Sequence, residues 1–154
     1  MVQSNEEIKI LFFANLHLGI EQNKSGISTE TRIKTLKKIL SIAAKHDLLL
    51  IGGDLFDSIH SSQEFIETMS SLFTELKKSN TSIIITPGQG ELDKRKILPS
   101  FIYNINASYI FSNPVYEKPF VFTKGKQTIH IYGSPASNKL NIKNVKKEPE
   151  DGVH

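Results

Sequence analysis

A chain of 154 residues, 38% of them hydrophobic, is long enough for one domain with a sizeable core, and its net charge of +3 is compatible with a nucleic-acid partner without requiring one. The lack of cysteine excludes disulfides and thiolate metal sites, so any metal must use His, carboxylate or amide donors, a set that suits Mn, Mg, Fe or Zn. No apolar run is long enough to span a bilayer, and residues 8–13 are too short and too acidic in their lead-in for a secretory signal, so the expectation is a cytoplasmic chain with no membrane partner.

Residues 1–7 are polar and expected to be disordered. Residues 8–14 (IKILFFA) predict a first strand that delivers Asn15, Leu16, His17, Leu18 and Gly19 to its carboxyl end. After a loop through Gly26, Ser28 or Thr29 is placed to cap a helix with Glu30 in its first turn, and Ile33, Leu36, Ile39, Leu40 and Ala43 repeat at helical spacing. Residues 48–51 (LLLI) then run unbroken into Gly52, Gly53 and Asp54, with Asp57 three residues later. A short continuous apolar run predicts a strand buried on both faces, as in a parallel sheet under helices. Residues 63–78 predict a second helix with Phe65, Ile66, Met69, Leu72, Phe73 and Leu76 on its buried face, and residues 82–86 (SIIIT) a third strand ending in Pro87, Gly88, Gln89, Gly90 and Glu91.

Strand, helix, strand, helix, strand implies a parallel sheet with right-handed crossovers. The three strand ends then fall on one edge of the sheet, where open α/β sheets place their ligands. Beyond residue 105 the rhythm changes. Residues 109–111, 120–122 and 128–132 are short and β-rich, separated by Asn-Pro, Lys-Pro and Lys-Gly turns, and predict a second, more antiparallel layer. Residues 138–152 are charge-dense and read as a loop. Residues 1–154 are therefore expected to form a single α/β domain.

Taken together, Asn15-x-His17, Gly52-Gly53-Asp54-x-x-Asp57 and Gly88-Gln89-Gly90-Glu91 resemble the calcineurin-like metallophosphoesterase superfamily, whose pattern is DxH, GDxxD and GNH[DE]. Leu18-Gly19 and the full GGDLFD are similar to the Mre11/SbcD branch of DNA repair exonucleases, as are residues 131–135 (IYGSP). The resemblance implies a layered α/β/β/α metallophosphoesterase-like sandwich, incomplete at its C-terminus, since the branch's later His and Gly-His-x-His motifs do not occur before His154. It implies phosphodiester hydrolysis with two divalent ions, Mn by resemblance, which hold the phosphate and generate a hydroxide. It makes Asp54 the bridging metal ligand and His17 a ligand of the first ion, with Asn15 and Gln89 standing at two further ligand positions. The implied partners are DNA, an SbcC/Rad50-like ATPase and a second copy in a homodimer.

The pattern is degenerate. Asn15 replaces the family's Asp, Gln89 its Asn and Gly90 its catalytic His, while Glu91 replaces Asp conservatively. An amide oxygen coordinates a hard cation but brings no charge. Losing one electrostatic stabiliser costs about 10²–10³ in rate, and several are missing here. The expectation is therefore weak or absent metal binding, no hydrolysis by this chain alone and no residue assignable as catalytic. Two functions follow: an impaired nuclease domain, or a non-catalytic pseudo-nuclease that binds DNA or a partner.

Plainer explanations cover the remaining candidates. A strand followed by a Gly-Asp turn accounts for GGD alone, and His17 by itself is an ordinary polar residue at a strand end. His46 ends a helix, where the dipole favours a cation, His60 sits in a loop, and His130 alternates with Ile129 and Ile131. Gly125-Lys126 lacks the rest of a phosphate-binding loop. Solvated helix faces explain most of the lysines.

Overall fold

A computed structural model describes residues 7–19, 26–56, 63–92, 100–113 and 118–136. Asp57, His60, His154 and the charged segment 138–152 lie outside them.

Strands β1 (Ile10–Phe13), β2 (Leu48–Ile51) and β3 (Ser82–Ile85) alternate with helices α1 (Thr29–Ala43) and α2 (Gln63–Lys77). The strands pair in parallel, Ile10 beside Leu48 and Leu48 beside Ser82. A parallel strand needs both faces covered, and β2 shows how its apolar run meets that need. Leu49 and Ile51 join Ile83, Ile85, Leu36, Leu40, Phe73 and Leu76 in the core under the helices. Leu48 and Leu50 face the other way, into a smaller core with Ile84, Phe111, Phe120, Phe122, Ile129 and Ile131. Each fully buried Leu, Ile or Phe contributes about 1.5–3 kcal/mol, so the sheet is held from both sides.

Helix α1 starts where its cap dictates. Ser28 is extended (φ −70°, ψ 153°) and its hydroxyl accepts from the Thr31 N–H at 3.2 Å. Its buried residues are Arg32, Leu36, Leu40 and Ala43, one stripe at helical spacing.

The second layer begins later than its composition suggests. The expected start after residue 105 put residues 109–111 in an antiparallel layer, but β4 (Tyr109–Ile110) is the fourth parallel strand of the first sheet, beside β3. A 3₁₀ helix (Ser100–Ile105) carries the chain back over the helical face, burying Ile102 and Ile105 in the larger core. Ser108 then sets the register, its N–H donating to the Ile83 carbonyl at 2.7 Å and its hydroxyl accepting from the Ile83 N–H at 3.1 Å. Among the described residues, the antiparallel layer is the hairpin β5 (Phe120–Lys124) and β6 (Gln127–Ile131). His130 is exposed on it.

The two layers are joined by Asp47, at the entry to β2. Its carboxylate accepts from the Lys9 N–H at 2.7 Å and pairs with the Lys124 ammonium at 2.9 Å. The Lys9 N–H, more than the lysine charges, holds this carboxyl below its ordinary value of 3.8 against the opposing effect of burial. The contribution is therefore fully present above that ordinary value and is lost as pH falls through the lower folded value. Asp47→Asn is expected to cost about 1 kcal/mol at neutral pH. Urea unfolding of both proteins at pH 7 and pH 3 checks this. The gap between them should narrow at pH 3, and a constant gap would refute the charge argument.

Candidate active-site loops

The carboxyl ends of β1, β2 and β3 are tied to one another by backbone hydrogen bonds. Asn15 N–H donates to the Gly53 carbonyl at 2.9 Å, His17 N–H to the Asp54 carbonyl at 2.9 Å and Leu18 N–H to the Leu55 carbonyl at 2.7 Å. At the end of β3, Thr86 N–H donates to the Ile51 carbonyl at 2.8 Å and Gly90 N–H to Asp54 Oδ1 at 2.8 Å, so the sequence-predicted convergence of Asn15, His17 and Asp54 with the loop after β3 is present.

The backbone there is unusual. Asn15 (φ 59°), His17 (φ 53°) and Asp54 (φ 51°) all lie in the left-handed region, alongside Gly53 (φ 95°). Asn, Asp and His are the non-glycine residues that tolerate this region best. Such conformations cost about 1–3 kcal/mol each and persist where the surroundings over-determine them. Here the surroundings are specific. From the buried stripe of α1, one guanidinium nitrogen of Arg32 donates to the carbonyls of Leu16 at 2.7 Å and His17 at 2.9 Å. Sequence reasoning missed Arg32. The available signal was a cation four residues before Leu36, in phase with the apolar stripe. Arg32→Leu is expected to lower stability by about 2–4 kcal/mol, because both charge-assisted bonds go while helix packing is kept. Hydrogen exchange checks the location of the effect: the amides of residues 15–18 should lose protection before those of α1.

The loop after β3 is fastened by Glu91, which is only 2% exposed. One of its oxygens accepts from the N–H groups of Gly88 at 2.7 Å and Asp54 at 3.0 Å, and the other from Phe56 N–H at 2.8 Å. Burial pushes the Glu91 carboxyl above its ordinary value, the nearby Asp54 charge adds to this, and the three N–H groups oppose it. Asp54 completes the fastening, its Oδ1 accepting from Gly90 N–H at 2.8 Å. Glycines make the approach possible. A Cβ at Gly88 would meet Asp54, and one at Gly90 would meet the Phe56 carbonyl oxygen, each closer than the 3.0 Å below which real Cβ atoms essentially never pack. Gln89, between them, is exposed.

A parallel sheet whose three loop ends knot together at one edge, beneath two helices, is an architecture consistent with a phosphoesterase-type α/β domain. A family model for calcineurin-like phosphoesterases matches residues 8–151, and the chain belongs to that family. It is 26% identical over 133 residues to the DNA double-strand break repair protein Mre11 of Saccharolobus solfataricus, a match covering 83% of this chain and 33% of that protein. It is 33% identical over 75 residues to the double-strand break repair protein mre-11 of Caenorhabditis elegans, covering 47% of this chain and 10% of the relative. The chain thus spans about a third or less of either relative's length.

The family usually uses divalent metals. Among the described residues, no group of three or more His, Asp or Glu side chains comes together in a way that could hold an ion. Glu91 is turned onto backbone N–H groups, Asp54 gives one oxygen to Gly90, and Asn15 and Gln89 offer neutral amides. The described donors therefore do not fit a two-ion centre, whose four positive charges need several carboxylates or imidazoles.

Proposed function

We propose that this chain is a nuclease-like domain of the Mre11/SbcD type, serving DNA double-strand break repair, with an impaired metal centre. Its remaining work is to bind DNA or an SbcC/Rad50-like ATPase rather than to cut phosphodiesters by itself. The observation that carries this reading is the space at position 90. Where the family has its catalytic His, the loop is packed so closely against Phe56 that not even a Cβ fits. The names of the relatives support the repair context, and the basic balance of the chain is compatible with DNA.

Two assays test it. Titration calorimetry with Mn²⁺ should show no pair of tightly bound ions, and a generic phosphodiester should not be turned over with or without Mn²⁺. Fluorescence anisotropy with duplex DNA should show binding that weakens steeply with salt, as phosphate contacts require. Metal-dependent turnover by the 154-residue chain would overturn the impaired-centre reading. One observation favours a second reading, an active exonuclease completed by ligands outside the described residues: Asp54 and His17 are still adjacent, joined through the Asp54 carbonyl. In that case a longer chain carrying the later His and Gly-His-x-His motifs should hydrolyse DNA.

A further inference from the structure

We infer that the loop cluster of Asp54, Gly88, Gly90 and Glu91 acts as an ion-independent clasp, with Asp54 serving as a neutral-tolerant hydrogen-bond acceptor instead of a charged bridging ligand. This rests on the impaired metal centre and adds what the surviving carboxylates do in its place. Four N–H groups, those of Asp54, Phe56, Gly88 and Gly90, come together at the edge of the core, where Leu55 and Phe56 are each 1% exposed. In such surroundings an N–H without a partner is costly. The two carboxylates take all four: Glu91 three and Asp54 the fourth. Three of these bonds join residues 35 to 37 positions apart and close the β2 loop on the β3 loop, and the fourth, from Gly88 to Glu91, lies within the β3 loop. They need no cation. The contact from Asp54 to Gly90 uses a single oxygen, which an asparagine side chain reproduces, whereas a bridging metal ligand depends on its charge.

That difference makes the proposal testable on the whole chain. Thermal unfolding is measured for the wild type, Asp54→Asn and Asp54→Ala, each with EDTA and with about 1 mM Mn²⁺. Expected are a wild-type Tm that moves by less than about 1 °C between EDTA and Mn²⁺, a loss of at most about 2 °C for Asp54→Asn, and a loss of roughly 4–8 °C for Asp54→Ala. Amide exchange of Gly90 gives a local readout: it should stay protected in Asp54→Asn and become exposed in Asp54→Ala. Loss of Gly90 protection in Asp54→Asn overturns the clasp even if Asp54→Ala does not fold. A Mn²⁺-induced rise in wild-type Tm of more than about 3 °C that Asp54→Asn abolishes also overturns it. An unchanged Tm for Asp54→Ala overturns the clasp alone, while metal-dependent turnover separately overturns the impaired-centre reading.

Discussion

Gly90→His, the substitution that restores the family's catalytic residue, is expected to destabilise the chain by about 3 kcal/mol or more and to leave it without phosphodiesterase activity. Overpacking a well-filled site costs about 1–3 kcal/mol when side chains can shift. Here the obstacle is backbone, the Phe56 carbonyl oxygen, and Phe56 is itself held by the Glu91 carboxylate through its N–H. Making room for a Cβ therefore means moving the Phe56 peptide and weakening the bonds around Glu91 and Asp54 as well. Even with the imidazole present, Asn15 and Gln89 would still be neutral. Urea unfolding measures the first part and a chromogenic phosphodiester the second. A Gly90→His protein as stable as wild type would mean that the loop is softer than its packing indicates.

The second large effect is expected at Glu91. Glu91→Ala takes the acceptor from one buried N–H group, that of Phe56, and from two half-buried ones, those of Asp54 and Gly88, at about 1–3 kcal/mol each, so a total loss near 3–6 kcal/mol is expected. Glu91→Gln sorts the cause. The amide oxygen can keep the two bonds from Gly88 and Asp54, but the NH₂ group then faces the Phe56 N–H, donor against donor. Its loss should fall between wild type and Glu91→Ala, at about 2–3 kcal/mol. Chemical denaturation of the three proteins gives the order directly. If Glu91→Ala were within about 1 kcal/mol of wild type, the buried carboxylate would not be what fastens the loop.

Much of the architecture was legible in the residues. The unbroken apolar run of β2 signalled burial on both faces, and it is buried on both. Ser28 or Thr29 signalled the start of α1, and it is the Ser28 hydroxyl that caps the helix. The strand–helix alternation placed Asn15, His17 and Asp54 at one edge, where backbone hydrogen bonds do join them. These features follow from periodicity and chain connectivity, which are local properties that a sequence displays directly.

What only the tertiary structure decided are the relations between residues far apart in the chain. Tyr109 and Ile110 carry the same β-rich signature whether they extend the first sheet or open a second. Ser108 and the 3₁₀ helix, by their contacts with β3 and the helical core, settled it for the first. Arg32 went unread in the sequence, and its place in the buried stripe of α1 made it the support of the His17 loop. Glu91 looked like a conservative stand-in near a metal, and its burial turned it onto backbone N–H groups. A glycine at position 90 announced a missing imidazole, but not that the space for one had closed. The physical reason is shared: a side chain's chemistry is fixed by its type, whereas the group it meets is fixed by how distant segments pack.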